Sequence, residues 1–150
     1  MPSTAIRIFS IAALLLGVML FQSCAEEESS ISIQRPASPS LPVLRSRDEL
    51  RRVISEAGDR LLLIDFFADW CLPCKQLEPI LEDIARKAKD SVDVYRIDLD
   101  SNQALAQGFQ VRGIPYVAFI KNQVIVYRLE GLHPKKTYWD VIRKFGSESG

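Results

Sequence analysis

The stretch from Arg60 to Ala68, RLLLIDFFA, is an apolar run with no period. A strand that faces water on one side alternates; a run apolar at every position belongs to a strand buried on both faces. Such a strand needs a cover on each side, so the chain must fold as a layered α/β structure with helices on both faces of a sheet. One residue breaks the run. Asp65 places a carboxylate in this interior, which is costly unless the acid is paired or used.

The flanking sequence supplies the layers. Leu41 to Leu44 is a short apolar strand candidate. In SRDELRRVISEAG, Ser46 is a plausible N-cap with Glu49 three residues on, Leu50, Val53 and Ile54 share one face, and Gly58 stops the helix. CLPCKQLEPILEDIARKAKD repeats Leu77, Ile80, Leu81 and Ile84 at helical spacing, and Pro79 inside it predicts a kink. VDVYRIDLD alternates as a strand, and SNQALAQGF predicts a short helix opened by Ser101 and ended near Gly108. VRGIPYVAFIKNQVIVYRLEG predicts a hairpin turning at residues 121–123. HPKKTYWDVIRKFG closes the chain as a helix with Tyr138, Val141, Ile142 and Phe145 inward. The order β-α-β-α-β-α-β-β-α predicts a mostly parallel central sheet, with the final hairpin adding antiparallel edge strands.

Composition narrows the function. The chain has 150 residues, 47% of them hydrophobic, enough for one domain with its own core. Nineteen Lys plus Arg balance nineteen Asp plus Glu. With no basic excess or stripe, nucleic acid is not an expected partner. Three cysteines are too few for a disulfide framework. Two of them, Cys71 and Cys74, lie where the buried strand ends and a helix begins. A helix start exposes unpaired N–H groups and partial positive charge, which favour a thiolate. Cys71 should occupy that start, with Cys74 on the same face within disulfide reach. Zinc needs about four ligands, and beyond this pair the sequence offers only the distant His133, so no metal is expected. A structural staple rarely closes so short a loop at a helix start. A redox pair is the reading this position favours.

Residues 1–23 are different in kind. Arg7 precedes an apolar run of 14 residues from Ile8 to Phe21, a signal-peptide pattern too short for the roughly 20 residues of a spanning helix. LFQSC resembles a relaxed lipobox ending at Cys24, with Phe21 in place of the usual leucine. Three readings stay open: lipidation of Cys24, cleavage after Ala25, or an uncleaved anchor. Each puts the domain outside the cytoplasm, on the periplasmic side. Residues 24–40, rich in Glu, Ser and Pro, read as a flexible tether reaching roughly 20–25 Å. Residues 41–150 are the domain. Loss of residues 1–23 removes one cation and leaves 18 positive against 19 negative side chains, too little charge to select a partner.

IDFFADWCLPCK resembles the active-site signature of the thioredoxin family. The resemblance extends along residues 41–146. Asp65 matches the family's buried acid, Pro79 the proline of the active-site helix, RGIPY (Arg112 to Tyr116) the loop whose proline is cis and faces the disulfide, Gly131 the glycine after the last strand, and Trp70 the tryptophan beside the nucleophile. It implies a thioredoxin fold and a redox-active Cys71–Cys74 disulfide, with no other cofactor. Cys71 would be the exposed nucleophile, Cys74 the buried resolver, and Asp65 the acceptor of the Cys74 proton. Trp70, Leu72, Pro73, Ile114, Pro115 and Tyr116 would form the substrate-binding platform. Several positions depart from the family. Arg96 stands where a lysine often lies near the acid, Leu72 replaces glycine, Tyr116 replaces threonine, Phe67 replaces a common tryptophan, and Gln123 stands at a usual turn glycine. The last two are expected to leave the chemistry untouched.

Strong oxidases of the superfamily carry histidine between the cysteines; Leu72-Pro73 does not. The resemblance therefore implies a reductant nearer the roughly −270 mV of thioredoxin than the roughly −120 mV of the strong oxidant. Outside the cytoplasm such a monomer would draw electrons from a membrane-embedded reductase and pass them to disulfide-containing proteins. A thiol oxidase or isomerase, or a non-catalytic binding module or metallochaperone on the same fold, is the alternative.

Overall fold

The computed structural model describes residues 40–146. The expectations for the signal segment, Cys24 and nearly all of the tether lie outside these residues. The elements are α1 (Arg47–Glu56), β1 (Leu61–Phe67), α2 (Leu72–Lys87), β2 (Val92–Asp98), α3 (Gln103–Gly108), β3 (Tyr116–Lys121), β4 (Val124–Glu130) and α4 (Lys135–Gly146).

The strands form one mixed sheet in the order β2-β1-β3-β4. β1 is interior, and its side chains divide between two cores as its lack of period requires. Leu61 and Leu63 pack with Leu77, Leu81, Phe119 and Tyr138, on the side covered by α2 and α4. Leu62, Ile64 and Phe66 pack with Leu50, Val53, Ala106 and Tyr116, on the side covered by α1 and α3.

The sheet is less parallel than the sequence order suggested. β1 and β2 are parallel, but β3 runs antiparallel beside β1, and only β4 of the hairpin forms an edge. The burial patterns explain the placement. All six residues of β3 are buried, whereas most of β4 is not. The expected first strand is also reduced. Leu41–Leu44 makes a single parallel bridge, Val43 to Arg96. Its bonds run from Leu44 N–H to the Arg96 carbonyl and from Arg96 N–H to the Pro42 carbonyl, at 2.8 and 2.9 Å. Pro42 has no N–H to extend the ladder.

The helix ends follow local chemistry. Ser46 Oγ accepts from the Glu49 N–H at 3.1 Å, while the Glu49 carboxylate reaches back to the Arg45 N–H at 2.7 Å, one residue beyond the usual capping box. Gly58 follows with φ of +58°. Ser101 does not cap α3; its hydroxyl bonds Asp98 at 2.5 Å and Asn102 is the N-cap residue. Asp98 wins because its carboxylate organises the whole turn, also accepting from the Asp100 N–H. α2 runs from Leu72 to Lys87 without a break at Pro79. Of its expected inward residues, Leu77, Leu81 and Ile84 are fully buried and Ile80 is half-buried. In α4, Tyr138, Val141 and Ile142 are buried and Phe145 is half-buried. Among the described residues, no helix is long and apolar enough to cross a membrane.

The hairpin turns on two residues, Asn122 and Gln123, with φ of 51° and 65°. Both lie in the left-handed region, as a two-residue primed turn demands. Asparagine tolerates it; glutamine, with its longer side chain, is strained by roughly 1 kcal/mol. Gln123→Gly should therefore raise the free energy of unfolding by about 1 kcal/mol, measured by urea titration; an unchanged or lower value would contradict this account of the turn.

Candidate active site

The cysteine pair follows β1 through a short turn. Cys71 is the N-cap residue of α2 and Pro73 lies in its first turn, where a missing N–H costs nothing. The two sulfurs are joined as a disulfide, with the α-carbons 5.3 Å apart. The Cys74 N–H donates to Cys71 Sγ at 3.2 Å. The helix start thus gives Cys71 sulfur a backbone donor along with the positive end of the dipole.

Cys71 is less open than its expected role as an exposed nucleophile. It is 4% exposed, against 1% for Cys74. The reason is local: the pair packs with Ala68, against Phe67 and Ile114. Phe67, one of the departures from the family, thus packs directly against the cysteine cluster.

Two large apolar side chains beside this closed pair are exposed. Trp70 and Leu72 are 67% and 66% exposed. The Trp70 Nε1–H donates to Asp100 Oδ2 at 2.9 Å, which fixes the ring from the loop after β2. Pro73 is exposed, Ile114 half-buried and Pro115 buried. The Ile114–Pro115 peptide is cis, and the Pro115 carbonyl accepts from the Gly131 N–H at 2.8 Å, tying this loop to the end of β4. Tyr116 does not belong to the platform. It is buried at the start of β3, edge-on to Phe66, and its hydroxyl donates to the Phe109 carbonyl at 3.1 Å. A satisfied hydroxyl and an aromatic neighbour make it a core residue.

Asp65 is fully buried. It shares the face of β1 that carries Leu61 and Leu63, beneath α2. Its partner in the parallel register is Arg96. Arg96 Nε donates to Asp65 Oδ2 at 3.1 Å, Nη1 meets Glu78 Oε1 at 2.9 Å, and the guanidinium lies 3.8 Å over the Phe67 ring. Asp65 Oδ1 accepts no hydrogen bond from any described group. Burial pushes the Asp65 carboxyl up to about 6 from 3.8; Arg96 opposes the rise and Glu78 adds to it. Sequence reasoning had raised the Arg96–Asp65 pair but missed Glu78 and Asp100. Glu78 sits one helical turn after Cys74, a spacing that places both on one face of α2. Asp100 carried no signal, because its contact with Trp70 spans 30 residues.

The thioredoxin family model matches residues 42–144. A thioredoxin of Borreliella burgdorferi is 43% identical over 63 residues, which cover 42% of this chain and 54% of that protein. A thioredoxin of Malassezia sympodialis is 36% identical over 95 residues, 63% of this chain and 89% of that one. The solved structure of a mutant thioredoxin from Halobacterium salinarum matches with a TM-score of 0.67 at 36% identity, covering 76% of this chain and 98% of that one. The fold and the paired cysteines define a thioredoxin-fold domain, and the chain belongs to the thioredoxin family. It spans little more than half the length of some curated relatives and most of others.

The raised carboxyl makes stability depend on pH. The native state holds the Asp65 proton more tightly than the unfolded chain, so its contribution is complete below about pH 4 and is lost as pH rises through about 6. The loss amounts to about 3 kcal/mol. Between pH 4 and pH 7, urea unfolding should show the wild type losing stability relative to Asp65→Asn; equal pH slopes in the two would exclude it.

Proposed function

We propose that the protein is a thiol–disulfide oxidoreductase that reduces disulfides in proteins outside the cytoplasm. The observation that carries this reading is the Cys71–Cys74 disulfide at the start of α2, with a buried carboxylate on the strand that leads into it and Trp70 and Leu72 exposed beside it. Membership of the thioredoxin family supports the same chemistry.

In the reduced protein, the Cys71 thiolate is stabilised by the helix start and the Cys74 N–H. It attacks one sulfur of a substrate disulfide. A Cys71–substrate bond forms, the substrate S–S bond breaks, and the other substrate sulfur leaves as a thiolate. Cys74 then gives its proton to Asp65, directly or through water, and attacks Cys71 Sγ. The intramolecular disulfide forms and the second substrate thiolate leaves. Two electrons have passed from the cysteine pair to the substrate. With its carboxyl pushed up to about 6, Asp65 is largely ionised at pH 7 yet basic enough to take a proton.

Trp70 and Leu72, with Pro73 and the Ile114–Pro115 loop, form the apolar platform on which an extended polypeptide lies. A close-packed Cys71 suits this arrangement, since the attacking sulfur is reached only by a substrate strand that settles on the platform. Leu72-Pro73 brings no imidazole to stabilise a thiolate, which favours a reducing potential. Residues 1–24 supply the location: lipid-modified Cys24 tethers a monomer to the membrane, and a membrane-embedded reductase regenerates the dithiol.

Cys74→Ser should trap mixed disulfides through Cys71 in extracts, the captured proteins including both substrates and electron donor, while Cys71→Ser traps none. The wild type should reduce insulin and equilibrate with glutathione near the roughly −270 mV of thioredoxin. A potential above about −180 mV would instead make it an oxidase or isomerase.

A further inference from the structure

Arg96 is shared between two carboxylates. A guanidinium offers five donors in a planar fork, and its strongest pairing with a carboxylate engages both oxygens. Here it gives Asp65 only Nε, on Oδ2, and turns Nη1 outward to Glu78. Phe67 holds the plane from below. Asp65 Oδ1 is left without a donor. The Glu78 side chain is 38% exposed, whereas those of Arg96 and Asp65 are 8% and 0% exposed.

Charge balance gives this sharing a consequence. One arginine beside one buried acid is neutral, and the acid becomes a poor base. Two acids around one arginine keep a net negative charge, so the group retains affinity for one proton. Of the two acids, the buried one gains more by protonation, because burial penalises its charged form most. Glu78 keeps its outer end in water.

We infer that Glu78 is a positioning residue for the resolving step: it draws the Arg96 guanidinium away from Asp65 Oδ1 and keeps that oxygen open and basic for the Cys74 proton. This rests on the reductase mechanism above. Arg96 cannot itself accept or relay the proton, so Glu78 acts through the placement and neutralisation of Arg96. The titratable and charged groups facing Asp65 are Arg96 from β2, Glu78 from α2 and, from α4, Tyr138, whose hydroxyl is pushed up by burial. Its β3 neighbour in the register, Val117, is apolar. Of these, Glu78 alone adds negative charge at neutral pH.

Glu78→Gln keeps an acceptor for Nη1 and removes the charge. In this variant the Asp65 carboxyl, followed by carbon-13 NMR in the full-length oxidised protein, should titrate lower by about half a pH unit or more. The acid limb of insulin reduction should move the same way. Glu78→Asp, which keeps the charge, should restore the wild-type titration, and Glu78→Ala serves if the glutamine variant does not fold. An unchanged or raised Asp65 titration in the charge-removing variant overturns the inference, as does a Glu78→Asp protein that titrates like Glu78→Gln. If the wild type reduces no insulin at any pH, the reductase reading fails, and the NMR titration still decides whether Glu78 sets the basicity of Asp65.

Discussion

The constraint on which the rest depends is the burial of β1 on both faces. It requires helices above and below, so α2 must lie across one face and α1 and α3 across the other. The chain leaving β1 must then turn back over the sheet, which brings the start of α2 to the end of this doubly covered strand. A cysteine at that start inherits a helix N-terminus on one side and a dry interior on the other. The chemistry is possible because the same strand carries one acid into that interior. Without the dry surroundings Asp65 would be an ordinary carboxylate and a weak base.

The buried ion pair is poor evidence of stability. Removing two charges from water costs several kcal/mol each, and a pair often does no better than apolar side chains of the same size. Arg96 and Asp65 lie in a sheet otherwise packed with leucine, isoleucine, valine and phenylalanine, which the fold could have continued through both positions. The pair makes sense as machinery. Arginine, which stays charged throughout the accessible pH range, gives Asp65 a constant counter-charge where lysine would give one able to lose its proton.

Much of this was legible in the sequence because it is local. The unperiodic run of β1, the apolar spacing of α2, the Ser46 cap and the stop at Gly58 depend on neighbours within a few residues. Asp65 stood out because an acid in an apolar run violates a local rule. What escaped depended on register and packing between distant segments. Nothing local tells whether β3 lies inside the sheet or at its edge; the neighbour that decides it is β1. Tyr116 beside a loop proline reads equally as platform or core until Phe66 and the Phe109 carbonyl close around it. Cys71 is covered by Phe67 and Ile114, the latter 43 positions away in the chain. Glu78 is an ordinary surface residue until the β1–β2 ladder brings Arg96 beneath α2.

The short bridge at Val43 has a mechanical consequence. β2 lies between β1 and residues 42–44, and its outer contact consists of two hydrogen bonds, both made by the backbone of Arg96. A pull on the chain ahead of Pro42 loads these two bonds before it loads any full strand of the sheet. They end on the residue whose side chain neutralises the buried acid. Load on residues 42–44 is thus delivered to the residue that pairs with the buried acid, so the outermost backbone contact of the sheet and the charge beside Asp65 meet at Arg96.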